Sequence, residues 1–153
     1  MNRISDPQLM AERLESFKAG VIGGFSLGFA FVITSLLNTL VLAKYFPTLV
    51  SLHIDINWVW LCSGAIAGFS GLLFGVTYRY IIRTDKNPQL KTGAVMAFGL
   101  VRGLTQVEVG WNSSSTVLPL IVLASESILW FALAAIAVDF AIQFGWVKSF
   151  SSS

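Results

Sequence analysis

The chain has 153 residues, 55% of them apolar and 12% charged, with ten Lys and Arg against eight Asp and Glu and a net charge of +2. Ordinary soluble domains carry about 25% charged residues, and the mean hydropathy here is +0.74. That balance excludes a water-soluble enzyme, a secreted disulfide scaffold and a disordered chain, and it points to an all-α integral membrane protein. The basic residues lie scattered on the flanks of apolar blocks and form no continuous basic surface, so nucleic acid is not an expected partner.

Residues 1–18 read as a short amphipathic helix lying on the membrane surface. Ser5 or Asp6 caps it, Pro7 takes its first position and Gln8 stands at capping-box spacing. Leu9, Met10, Leu14 and Phe17 share one face, opposite Glu12 and Glu15. No cleavable signal is expected, because the first apolar block is too long for a signal core. A membrane span needs about 20 apolar residues, and four candidates follow: 19–43, 58–82, 92–111 and 126–147. Between them lie an outer loop at 44–57, an inner loop at 83–91 and an outer interfacial loop at 112–125, with a tail at 148–153. Arg3, Arg13, Lys18, Arg79, Arg83, Lys86, Lys91 and Lys148 fall on one side, against Lys44 on the other. Both termini are therefore expected to face the cytoplasm or stroma.

The fourth boundary rests on an internal duplication. Lys18-x-Gly20-x-Ile22 with Phe25-x-Leu27 matches Lys91-x-Gly93-x-Val95 with Phe98-x-Leu100. Phe46-Pro47-Thr48-Leu49-Val50 parallels Leu118-Pro119-Leu120-Ile121-Val122, and Trp60, Ala65-Ile66-Ala67 and Phe74-Gly75 recur as Trp130, Ala135-Ile136-Ala137 and Phe144-Gly145. Two duplicated helix hairpins follow, with the Pro-led stretches Phe46–Ile56 and Val117–Ser125 as apolar elbows on the outer surface. Trp58, Trp60, Trp111 and Trp130 would form the outer aromatic belt, and Trp146 with Lys148 the inner anchor. A competing register starts the last span at Val117 and brings Glu126 level with Arg102.

Helix packing is signalled by Gly20, Gly24 and Gly28, continued by Ser35 and Thr39, by Gly64, Gly68, Gly71 and Gly75, and by Gly99 and Gly103. Small residues at four-residue steps let backbones approach closely, which drives helix association in lipid. Arg102 lies inside the third span and needs a carboxylate, since a charge there costs about 2.5–3.5 kcal/mol even on the lenient scale. The expected pair is Arg102–Asp139, with Glu126 as the alternative partner. Gln106 shares the polar stripe of Arg102, and Glu108 and Glu126 both fall near the outer face. Arg79, Arg83, Asp85, Lys86 and Lys91 form a compact basic knuckle around a Pro88 turn, suited to anionic lipid or an acidic partner surface.

Chemistry-bearing motifs are sparse. Cys62 and His53 are the only residues of their kinds, so no disulfide, zinc site or iron–sulfur cluster can arise from one chain. Cys62 reads as a packed structural thiol. No Ser–His–Asp set, HExxH, Walker loop or GxGxxG after a strand is present, and a non-enzyme is expected.

The run Gly75-Val76-Thr77-Tyr78-Arg79-Tyr80, then Arg83, Asn87-Pro88-Gln89-Leu90-Lys91 and Ala97-Phe98-Gly99-Leu100-Val101-Arg102, resembles a family of small membrane proteins shared by cyanobacteria and plastids. The resemblance covers 75–103. It implies a thylakoid or plastid-type membrane and a role beside photosynthetic complexes. A looser similarity, through Ile82-Arg83, Asp85, Pro88, Gly93 and Arg102-Gly103, is to the mitochondrial inner-membrane protein translocase family, which also has four Gly-striped helices. The leading functional expectation is an accessory, assembly or scaffolding subunit of a larger membrane complex, bound to membrane lipids and to a protein partner or its own copies. No cofactor is required, with chlorophyll or lipid as possible ligands. The rival expectation is a small oligomeric ion or solute transporter using Arg102, Asp139 and Glu126.

Overall fold

In the computed structural model, residues 6–82, 87–112 and 116–150 are described. Every regular element among them is helical. Helix α1 runs Asp6–Leu37 and continues through a π-helical turn at Asn38–Leu42 to Tyr45. A 3₁₀ helix at Pro47–Leu52 leads to α2 (Trp58–Ile82), α3 (Pro88–Trp111) and α4 (Leu118–Gln143). The four long helices alternate in direction. One end of the bundle holds the start of α1, the end of α2, the start of α3 and residues 144–150; the other holds residues 43–58, the end of α3 and the start of α4.

Three helical stretches are long and apolar enough to cross a membrane: Pro7–Tyr45, Trp58–Ile82 and Leu118–Gln143. Large apolar side chains such as Phe25, Phe29, Phe69 and Leu129 cover their exteriors. The protein is thus an all-helical, integral membrane chain. Helix α3 is not among the three stretches, because Lys91, Arg102, Gln106 and Glu108 lower its hydropathy.

Local chemistry sets the helix ends. The Asn57 side chain accepts from Trp60 N–H at 3.0 Å, and the Asn87 side chain accepts from Gln89 N–H at 3.0 Å just ahead of Pro88. Both satisfy donors that a first helical turn leaves free. Pro119 lies in the first turn of α4, where a missing N–H costs nothing. That is why α4 begins at Leu118 and 118–125 is helix rather than an interfacial loop. At its other end Gly145 takes a left-handed φ of +75°, and Trp146 N–H returns to Ala141 C=O at 2.9 Å. The chain turns there, so the helix expected over 126–147 runs Leu118–Gln143 instead.

The N-terminal segment also departs from expectation. Residues 6–18 do not form a separate surface helix but continue directly into the span, because no breaker separates Lys18 from Gly20. Leu9, Met10, Leu14 and Phe17 are exposed, while Ser16 is buried against the bundle. The first outer elbow folds inward: Leu49 and Leu52 are buried, and Thr39 Oγ1 accepts from Ile54 N–H at 3.2 Å.

Packing is unequal around the bundle. Helix α1 lies closely along α2, α3 along α4, and α1 against α4 joins the two pairs, whereas α2 and α3 barely touch. The α1–α2 seam is glycine on glycine. A Cβ on Gly71 would strike Gly23 O, one on Gly75 would strike Ala19 O, and one on Gly20 would come within 2.8 Å of Val76. Gly24 and Gly68 meet across the same seam, and Gly64 receives the Phe31 ring. Gly99 and Gly103 seat α4 at Ile128 and Ala124. Gly28 faces nothing within 4 Å, so it does not share in the packing stripe; the stripe instead runs through Gly23, whose place beside Gly24 was overlooked in the i, i+4 pattern.

Candidate functional site

Arg79 is the most buried charged residue described, with no exposed surface. Its Nη2 donates to Glu12 Oε2 at 2.6 Å, Nη1 to Ser16 Oγ at 2.7 Å, and Nε to Lys148 C=O at 2.8 Å. Lys148 N–H in turn donates to Glu15 Oε2 at 2.8 Å. One guanidinium thus ties α1, α2 and the C-terminal tail into a latch. The fork geometry of Arg suits such a multi-partner site. Arg79 was expected in an exposed basic knuckle, and the structure turns it inward instead. Lys91 is drawn inward too, onto Asp139 Oδ2 at 2.7 Å. Arg83, Asp85 and Lys86 lie outside the described residues.

Asp139 also accepts from the Tyr78 hydroxyl at 3.3 Å, so it links α2, α3 and α4 near the latch end. The expected Arg102–Asp139 pair is therefore absent, because Lys91 at the start of α3 is closer to the depth of Asp139 in the antiparallel register. The Lys91 and Asp139 side chains are 32% and 25% exposed, so the pair is partly screened. A double-mutant cycle of Lys91→Met and Asp139→Asn is expected to return a coupling of about 1 kcal/mol. A coupling indistinguishable from zero in detergent unfolding would remove this contact from the fold.

The gap between α2 and α3 opens into a groove of about 1200 Å³. Lining residues on α3 run from Ala97 to Gly110, roughly 20 Å at the helical rise. Val59, Ile66 and Leu73 on α2 and Val101 and Val109 on α3 form exposed apolar lips. The back wall, from α1, α3 and α4, carries Asn38, Arg102, Gln106 and Glu126. His53 and Asp55 stand at the mouth, 3.5 Å apart. No lining residue lies deeper than Leu73, Ala97 and Phe131. There Phe74, Phe98 and Phe131 close the floor, with ring centroids 5.1 Å (Phe74–Phe131) and 5.3 Å (Phe74–Phe98) apart. The groove is a blind chamber with a lateral opening.

Arg102 sits on the back wall with its guanidinium 5.2 Å from the Trp130 ring centroid, a cation–π contact. Its Nε is buried without a hydrogen-bond partner, and no ion pair to Arg102 occurs among the described residues. Gly99 meets Ile128 and Gly103 meets Ala124, which places Glu126 level with Arg102. The two are level yet unpaired: Glu126 Oε2 accepts from Asn38 Nδ2 at 3.3 Å. Gln106 Oε1 accepts from Ser127 Oγ at 2.8 Å. Trp130 is 3% exposed and, with Trp60, packs on Phe31 at centroid distances of 5.8 Å and 5.4 Å. Trp130 therefore lines the chamber instead of an outer belt, while Trp58 and Trp111 remain exposed. Cys62 is half-buried and reduced.

The sequence points to Arg102 and Glu126 as charges within apolar segments, but not to Asn38 in the chamber or to Glu12 and Ser16 in the latch. The sequence signal of Asn38 is that it is the one amide in the 19–43 stretch. Glu12 and Ser16 are four residues apart on one helix face, a spacing that brings both to one neighbour. No family model, curated protein or solved structure matches this chain.

Proposed function

We propose that the protein is a non-enzymatic accessory subunit that assembles with the membrane-embedded part of a larger complex. The observation that carries this reading is the state of α3. That helix is too polar to qualify as a membrane span by composition, and it packs closely on α4 alone. Met96, Leu100, Leu104 and Trp111 leave its outward face uncovered, with Glu108 exposed among them. A helix of this polarity crosses lipid at lower cost when protein covers it. A partner's membrane helix on the Leu100–Leu104 face supplies that cover and takes Glu108 into a polar contact.

In this reading α3 is the third of four crossings, and the latch end faces the cytoplasm or stroma, where Lys and Arg are concentrated. The resemblance over 75–103 favours a thylakoid or plastid-type membrane. The two hairpins are read as a duplicated unit, supported by Trp60 and Trp130 meeting the same Phe31 ring. The polar back wall of the chamber favours a solute pathway as the second reading, but the aromatic floor gives that pathway no exit.

Photocrosslinking in the native membrane separates these readings. A benzophenone side chain at Leu104 is expected to give one dominant protein adduct, and the same probe at Phe25 only lipid adducts. Adducts of equal pattern from both positions would sink the accessory reading, and a self-adduct alone would favour a homo-oligomer.

A further inference from the structure

The chamber between α2 and α3 is a second site, on a different face of α3 from the proposed partner surface. Three buried side-chain atoms lack a hydrogen-bond partner among the described residues: Asn38 Oδ1, Arg102 Nε and Trp130 Nε1. All three belong to residues that line this one chamber. Buried polar groups are nearly always satisfied, so orphans gathered around one chamber mark it as the place where the hydrogen bonding of the described residues is incomplete. Arg102 is the strongest of them. A guanidinium offers five donors and no acceptor, and here it meets the Trp130 ring and has no ion pair among the described residues.

We propose that the chamber binds an anionic membrane lipid, with its oxyanion on Arg102 and its acyl chains leaving through the apolar lips. Arg pairs best with oxyanions, through two parallel hydrogen bonds. The volume of about 1200 Å³ is slightly above the range of pockets that enclose single small molecules. A crossing helix needs about 30 Å of length and does not fit above the aromatic floor, whereas a lipid does. The mouth at His53 and Asp55 admits a headgroup from the interface, and Val59, Ile66, Val101 and Val109 present apolar edges to its chains. Glu126 stands level with Arg102 and opposes a second negative charge, so a singly charged head is preferred.

The test is native mass spectrometry of the full chain, delipidated and titrated with dioleoylphosphatidylglycerol, with dioleoylglycerol or with inorganic phosphate. One phosphatidylglycerol per chain is expected, with binding at least tenfold tighter than for dioleoylglycerol and none for phosphate alone. Arg102→Gln is expected to weaken phosphatidylglycerol binding about tenfold, Arg102→Lys to restore part of it, and Glu126→Gln to strengthen it severalfold. Trp130→Phe removes the orphan indole donor while keeping a smaller aromatic face, and is expected to weaken binding about threefold in a folded chain. Equal binding of the neutral lipid, undiminished binding by Arg102→Gln, or phosphate binding without an acyl chain would each overturn the assignment. The partner reading is unaffected by these outcomes, because it is tested at Leu104.

Discussion

Glu12→Ala is expected to destabilise the folded chain by about 3 kcal/mol, although Glu12 lies in a polar N-terminal segment that composition alone would call dispensable. The substitution removes the only carboxylate hydrogen-bonded to the buried Arg79 guanidinium, leaving neutral oxygens of Ser16, residue 12 C=O and Lys148 C=O as its hydrogen-bond acceptors. Removing one partner of a buried ion pair costs about 3–5 kcal/mol, because the remaining charge keeps its desolvation penalty. The Glu12 side chain is 35% exposed, which sets the expectation at the lower end of that range. Arg79→Met is expected to cost less, about 1–2 kcal/mol, because it fills the same space and leaves a carboxylate that water reaches. Unfolding in mixed micelles of dodecyl maltoside and SDS reads both values. The order of the two is the decisive result: Arg79→Met costing more than Glu12→Ala would mean that the latch acts through packing and not through charge. Raising the ionic strength is expected to change neither value much, since a pair without solvent between its charges is poorly screened.

Gly75→Ala is expected to be the most damaging single-methyl change in the chain, at about 2 kcal/mol. The added Cβ meets the carbonyl oxygen of Ala19, a backbone atom that cannot rotate away. The α1–α2 pair must then separate along its whole length, and dispersion falls steeply with the gap. Gly71→Ala meets Gly23 O and Leu27 Cβ and belongs to the same class. Gly28→Ala is the internal control. Nothing lies within 4 Å of its Cβ position, so only helix propensity changes, and Ala is favoured there by about 1 kcal/mol. The predicted signs are therefore opposite for two glycines on one helix pair. Matching unfolding midpoints for Gly75→Ala and Gly28→Ala would show that the seam is looser than described.

Much of the architecture was legible because lipid imposes few choices. Apolar blocks of span length, the ends of the second span at Trp58 and Ile82, and the glycine-rich α1–α2 seam all followed from hydropathy and four-residue spacing. Boundaries set by single residues were harder to read. From sequence Pro119 reads as the start of an elbow, yet the first turn of a helix accepts Pro without loss, and only a structure distinguishes those two uses. Gly145 reads as part of a span, whereas its left-handed φ follows the end of α4 and Lys148 returns to Arg79.

The charges show the same division. Sequence determined that Arg102, Asp139 and Glu126 lie within apolar segments and that such groups need partners, because the bilayer charges every isolated ion a desolvation cost. It did not determine which partner each one meets. Lys91, at the first turn of α3, and Tyr78 both reach Asp139, and Arg79 goes to Glu12 across 67 residues of chain. Those pairings depend on helix rotation and on the antiparallel register of α3 and α4. Both are set by glycine contacts across the helix seams, between residues far apart in the chain. Composition and periodicity specify which stretches are long and apolar enough to cross a membrane; the tertiary structure decides which faces meet, and so leaves α2 and α3 apart with Arg102 on the wall between them.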